Sequence, residues 1–208
     1  MKKVESPFFK HGYLEVFCGP MKSGKTRELL NRVDKFKYID DVNFIFIKPR
    51  IDTRDEKITS RFGELEYECI FIDENQTESI TDLVVNHNLV IIDEIQFFDK
   101  KIIQVLKTLI SRGYFVLVSG LDLDFRGEIF GSMGEILCLA DKINKLRGVC
   151  EYDGCHKEAT RTQRLINNEP AHYDSPTILV GDEDEGYYCR CTNHHEIKEN
   201  KKLIEEKR

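Results

Sequence analysis

The sequence predicts an α/β fold, a parallel sheet flanked by helices, followed by a small second unit. Three observations carry this. Short strands that are apolar along their whole length alternate with helical stretches between residues 13 and 120, the pattern of a parallel sheet covered on both faces. A glycine-rich run, Gly19-Pro20-Met21-Lys22-Ser23-Gly24-Lys25-Thr26, leaves the first strand and opens the first helix. After about Leu146 the periodicity fades, and Cys150, Cys155, Cys189 and Cys191 appear in a polar segment too thin to build its own core.

In chain order, residues up to about His11 read as a poorly ordered leader. Tyr13–Phe17 is the first strand, and Thr26–Tyr38 a helix with Leu29, Leu30, Val33 and Phe36 on one side. Asn43–Lys48 is a second strand, ended by Pro49. Residues 51–63 read as a polar loop or hairpin, Glu66–Ile72 as a short strand, and Gln76–His87 as a helix. Leu89–Ile92 is a fully apolar strand that ends in Asp93-Glu94. Lys101–Ser111 is an amphipathic helix, and Tyr114–Ser119 a strand ending in Gly120. The expected organisation is a leader over 1–11, a nucleotide-binding domain over 12–147, a metal-binding domain over 148–197 and a charged tail over 198–208.

Composition narrows the function classes. The 208 residues are 40% hydrophobic and 33% charged, enough for a core with a charged surface. A formal net charge of −6 argues against nonspecific nucleic-acid binding, which calls for a basic stripe. No apolar run approaches the roughly eighteen residues of a membrane span, and Met1–Lys10 lacks a signal-peptide core. A cytoplasmic location follows as the expectation. Thiols stay reduced there, so the seven cysteines read as metal ligands or packed side chains.

Gly19–Thr26 fits the phosphate-binding pattern G-x-x-x-x-G-K-[ST] without a gap, in the strand–loop–helix context the pattern needs. Its amides and the helix N-terminus would face an anion. Lys25 would reach the outer phosphates of ATP, and Thr26 would hold Mg²⁺. Asp93, at the end of an apolar strand, is placed to reach that Mg²⁺. Glu94 leans to the other side of the strand end and would take a proton, either from water or from an acceptor hydroxyl. Gln96 and Phe97 supply an amide and an aromatic wall beside the acid, and the run from Leu121 through Phe125 and Arg126 to Phe130 follows another strand end. Ligands sit beyond the carboxyl ends of the strands in open parallel sheets, so these loops should converge. Cys150-x4-Cys155 and Cys191-x2-His194 resemble paired hairpins for a structural tetrahedral Zn²⁺, with Cys189, His195 and His156 as competing donors. Cys18, Cys69 and Cys138 lie in apolar runs and read as core.

These residues together resemble the type II thymidine kinases. The carriers are Gly19–Thr26, Lys48-Pro49 with Asp52-Thr-Arg54, and Asp93-Glu-x-Gln-Phe-Phe98. Ser119-Gly-Leu-Asp122 follows with Phe125, Arg126, Gly127, Phe130 and Gly131, then Ala159-Thr-x-Thr162-Gln-Arg164 and Tyr187. The resemblance implies a RecA-like P-loop core, a small zinc-ribbon-like domain, a lasso loop over about 162–187 that closes on thymidine, and a homotetramer. It implies transfer of the γ-phosphoryl of ATP to the 5′-hydroxyl of thymidine, with deoxyuridine as a second substrate. Glu94 is then the base, with Arg54 and Lys25 as cations near the transferred group. Met21, Asp52, Gln96, Phe97, Leu121, Phe125, Phe130, Thr162 and Tyr187 would line the thymidine site, and Thr177, Leu179 and Gly181 would lie near the lasso's backbone contacts. Lys22 departs from the family, which usually has Phe or a small residue there. The rival reading is a zinc-ribbon ATPase driven by nucleic acid, which would need a basic face.

Overall fold

The computed structural model describes residues 11–51, 57–59, 66–177 and 185–198. The strands of the first unit are β1 (Tyr13–Cys18), β2 (Phe44–Pro49), β3 (Lys57–Thr59), β4 (Glu66–Glu68), β5 (Ile70–Ile72), β6 (Leu89–Ile92), β7 (Phe115–Gly120) and β8 (Lys142–Lys145). Its helices are α1 (Lys25–Asp34), α2 (Ile80–Leu83), α3 (Ile102–Ser111) and α4 (Met133–Leu139). Six strands form the central sheet in the order β5-β2-β6-β7-β1-β8, and every neighbouring pair is parallel.

The inner strands are largely apolar because both faces are covered. Successive side chains point to opposite sides of a strand. Thus Leu89 and Ile91 of β6, with Phe115 and Leu117 of β7, meet Leu29, Leu30, Val33 and Phe36 of the α1 segment. The alternate residues Val90, Ile92, Val116 and Val118 pack with Ile102, Leu106 and Leu109 of α3 and Met133 and Ile136 of α4. Full burial of such a side chain contributes about 1.5–3 kcal/mol, so these two layers hold the sheet edge that carries the site. Glu15 of β1 departs from this pattern. It is 1% exposed, and its carboxylate accepts from Arg32 Nε (3.0 Å), Lys142 Nζ (2.8 Å) and Asn144 Nδ2 (2.9 Å). Burial raises its pKa, but these donors outweigh burial and hold it below the ordinary value. The network ties edge strand β8 to β1 and α1.

Several segments differ from the sequence prediction, among them α4, which the sequence reading does not place. Glu66–Ile72 is two strands with a break at Cys69: β4 pairs antiparallel with β3 in a hairpin, and β5 joins the sheet edge beside β2. A change of partner leaves no mark on an alternating pattern. The helix expected over Gln76–His87 is a 3₁₀ turn at Thr77–Ser79 followed by the single turn of α2. It stops because Asn88 pins the return to β6, accepting from Asn43 N–H (3.0 Å) and donating to Asp41 O (2.8 Å). Strand β8 was not foreseen, since its one apolar residue, Ile143, carries no period; pairing with β1 and the Glu15 network form it instead.

The second unit begins with β9 (Gly148–Val149), paired antiparallel with β10 (Glu158–Ala159). β11 (Arg161–Ile166) lies between β12 (Glu169–Pro170) and β13 (Glu185–Arg190), both antiparallel to it. Among the described residues no helix is long and apolar enough to cross a membrane. The leader expected over 1–11 lies outside the described residues except for His11, and the tail over 198–208 does so except for Lys198.

Candidate active site

Gly19–Thr26 leaves β1 and becomes the first turn of α1. Gly24 is the residue before the helix, at φ +85°, a left-handed conformation that glycine adopts without a Cβ penalty. It has no side chain to cap the helix, so the first-turn amides face outward for an anion. Lys25 is 7% exposed and folds back to donate to Pro20 O at 2.8 Å. Burial pushes its pKa down, against the pull of Glu94 and Asp93. A buried ammonium on a lone carbonyl is short of negative charge, and a phosphate would supply it. Among the described residues the buried hydroxyl of Ser23 has no hydrogen-bond partner, a second donor left over in the same loop.

Beside the loop, β6 ends in Asp93, which is 3% exposed. One carboxylate oxygen accepts from Ser119 Oγ of β7, and the other lies 3.3 Å from Thr26 Oγ1. Burial first, then the charge of Glu94, pushes the Asp93 pKa up to about 6, while Lys48 at the end of β2 acts in the opposite direction. The Thr26 hydroxyl and a buried, charge-hungry carboxylate make a donor set of the hard oxygens that Mg²⁺ takes.

Glu94 lies on the turn after β6 at φ +52°. Gln96 holds it: the amide Nε2 donates to Glu94 Oε2 at 2.6 Å, and Oε1 accepts from Leu121 N–H at 3.1 Å. Because its oxygen is occupied by a backbone donor, the NH₂ end is fixed toward the carboxylate. Gln96 is 2% exposed and wedged between two glycines. A Cβ on Gly120 would meet Gln96 Oε1 at 2.5 Å, and one on Gly131 would meet Gln96 O at 2.4 Å.

The aromatic residues gather at the same sheet edge. Phe97 and Phe130 meet edge to face at 5.5 Å between centroids, and Leu121 and Phe125 are buried beside them in the chain. Arg164, fully buried, spans Phe125 and Tyr187 with its guanidinium 5.4 and 5.9 Å from the two ring centroids, and donates to Pro176 O at 2.7 Å. Arg126 donates to Tyr173 O and Ser175 O, each at 2.7 Å. Two guanidiniums therefore fix the chain just before Thr177. The Thr162 hydroxyl accepts from Met21 N–H at 3.0 Å, joining the second unit to the phosphate loop. Asp52, Arg54, Leu179 and Gly181 lie outside the described residues.

Cys150, Cys155, Cys191 and His194 bring their ligand atoms within 4.8 Å of one another. His194 Nδ1 lies 3.6 Å from Cys150 Sγ and 3.5 Å from Cys191 Sγ, and its ring stacks on Tyr152 at 4.1 Å. The competing donors are elsewhere. Cys189 stands outside this cluster, and His195 Nε2 lies 2.8 Å from Phe125 O. Three soft thiolates and an imidazole at this spacing are compatible with a zinc site.

A thymidine kinase family model matches residues 12–195. The chain belongs to the thymidine kinase family. It is 41% identical over 201 residues to a curated thymidine kinase of Mycoplasmoides gallisepticum (strain R(low / passage 15 / clone 2)), covering 95% of this chain and 87% of that protein. The match takes in both the sheet and the Cys/His cluster. As a thymidine kinase the chain carries functional neighbours that motif reading did not assign. Ser119 and Lys48 act on Asp93, and both stand in the sequence as carriers of the resemblance with no role attached. Arg164 stands in the Ala159-Thr-x-Thr162-Gln-Arg164 run that carries the resemblance, but nothing in the sequence says that this arginine is buried.

Proposed function

We propose that the chain is an ATP- and Mg²⁺-dependent thymidine kinase that transfers the γ-phosphoryl group of ATP to the 5′-hydroxyl of thymidine, with deoxyuridine as a second acceptor. Membership of the family supports the reaction class. The observation that supports the residue roles is Glu94 held by Gln96 between the phosphate loop and the aromatic cluster. In this reading the first-turn amides of α1 and Lys25 bind the triphosphate. Thr26 and Asp93 hold Mg²⁺, which when bound offsets the triphosphate charge. Glu94 accepts the proton of the 5′-hydroxyl as its oxygen forms the new bond to the γ-phosphorus; the bond to the β–γ bridging oxygen breaks, and ADP leaves. Gln96 leaves one carboxylate oxygen of Glu94 for the hydroxyl. Phe97, Phe130, Phe125, Leu121, Met21 and Tyr187 wall the base, while Arg54 and Asp52, between β2 and β3 in the chain, would act on the transferred group and the acceptor. Thr162 of β11, with Thr177, Leu179 and Gly181 from the segment between β12 and β13, would meet the base, where hydrogen bonds select a pyrimidine better than apolar fit does.

Cys150, Cys155, Cys191 and His194 would hold a structural Zn²⁺ in a unit with little core of its own. A homotetramer and a cytoplasmic location go with the family resemblance, and reduced thiols suit the latter. Incubation with labelled ATP, Mg²⁺ and each deoxynucleoside tests the reading, and thymidine 5′-monophosphate is the expected product. If thymidine is not phosphorylated while single-stranded nucleic acid stimulates hydrolysis, the zinc-ribbon ATPase replaces it. Glu94→Gln should keep ATP binding and lower kcat by about 10²–10⁴-fold, the range for a general base; near-normal turnover removes Glu94 from that role.

A further inference from the structure

The phosphate loop is tied to the Cys/His unit at two points. One is the bond from Met21 N–H to the Thr162 hydroxyl. The other is Lys22, whose Nζ lies 2.7 Å from Glu151 Oε1 and 4.8 Å from the centroid of the Tyr188 ring. Glu151 follows Cys150 and is clamped to β13. Its second oxygen accepts from Cys189 N–H at 2.5 Å, and its own N–H donates to Cys189 O at 2.8 Å. Lys22 in turn has φ +62°, in the left-handed region that a non-glycine residue keeps only where its surroundings hold it. The anchored acid and the aromatic ring are such surroundings. The loop conformation that presents the amides of Gly24, Lys25 and Thr26 is thus braced from the second unit.

We propose that Lys22 and Glu151 are a positioning pair for the donor site, through which the Cys/His unit sets the phosphate loop for ATP. The proposal rests on reading Gly19–Thr26 as the triphosphate site. A different role for the same lysine makes the opposite prediction: Lys22 as a reserve phosphate ligand for which Glu151 competes. The two part in sign. Glu151→Gln preserves shape and the acceptor for Cys189 N–H but removes the charge. As a brace, its loss loosens the loop and weakens ATP. As a competitor, its loss frees an ammonium and removes a nearby anion, and both changes tighten ATP.

The assay is equilibrium binding of a non-hydrolysable ATP analogue with Mg²⁺ to the full chain, with metal content measured on each variant. For Glu151→Gln the expected result is a Kd raised about two- to five-fold, the span of a half-exposed ion pair. KM for ATP rises with it while kcat at saturating ATP stays within about two-fold, a split that general loss of structure does not give. Lys22→Met, which lies outside the Cys/His unit, shows the same rise, and unchanged binding by this variant overturns the proposal even if Glu151→Gln loses metal. In the Glu151→Gln background Lys22→Met costs little more, since partners acting as one unit are not additive. Lys22→Arg restores binding. Unchanged or tighter binding by Glu151→Gln with its metal in place, or full additivity of the pair, overturns the proposal. Binding is read without an acceptor, so failure of thymidine as the substrate would leave this result standing.

Discussion

Asp93→Asn should stabilise the ligand-free protein while removing its activity. In the absence of Mg²⁺, Asp93 is a buried acid between the hydroxyls of Ser119 and Thr26, with Glu94 next to it. Its pKa stands at about 6 against an ordinary 3.8, from burial and then from Glu94. At about 1.36 kcal/mol per pH unit, holding it ionised in the folded chain at neutral pH costs about 3 kcal/mol. An asparagine of the same shape still accepts from Ser119 and carries no charge, though its bonds are weaker than those to a carboxylate. A gain of about 1–3 kcal/mol is expected at pH 7, and each kcal/mol should raise Tm by about 2–4 °C in a chain of this size. The sign fixes the pH window. An acid whose folded pKa is raised gives stability that is present below 3.8 and lost as pH rises to about 6. Wild type and Asp93→Asn should therefore differ most above pH 6 and converge toward pH 4. Thermal unfolding in chelator from pH 4 to 8 makes the comparison. A variant less stable than wild type at pH 7, or a difference independent of pH, refutes the reasoning.

Two further outcomes follow from the site. Gln96→Leu should lower kcat by about ten-fold or more with little change in KM for ATP, because the wedge stays filled while Glu94 and the Leu121 N–H lose their partner; unchanged kcat in single-turnover assays would show that Glu94 needs no such hold. Stripping metal with a chelator should expose Arg161 and Arg164 to trypsin while the sheet packed on Leu29, Leu30, Ile102 and Leu106 stays protected. A structural zinc site contributes on the order of 10 kcal/mol to its own unit, and the sheet draws its stability from a different core. Equal protection before and after chelation, read by mass spectrometry, would mean that no metal orders the second unit.

What could be read from the sequence and what could not divides along one physical line. A strand covered on both faces must be apolar at every position, so Leu89–Ile92 and Phe115–Val118 announced themselves, and the motif between β1 and α1 came with its flanks. The Cys/His cluster was legible for a similar reason: ligand type and local spacing are properties of neighbours in the chain, and Cys150, Cys155, Cys191 and His194 converge within 4.8 Å. What sequence reading missed depends on partners distant in the chain. β8 exists because Glu15, 127 and 129 residues away from Lys142 and Asn144, needs their donors. Gln96 reads as a group offered to a substrate, yet its oxygen is taken by Leu121 N–H, which aims the amide at Glu94 instead. Lys22 shows the limit most sharply. A lysine inside a phosphate loop invites assignment to the phosphate, and only the placement of Glu151, 129 residues on, turns its charge toward the second unit. Residue type therefore bounded the chemistry of each position, while the geometry of remote pairs decided which chemistry was used.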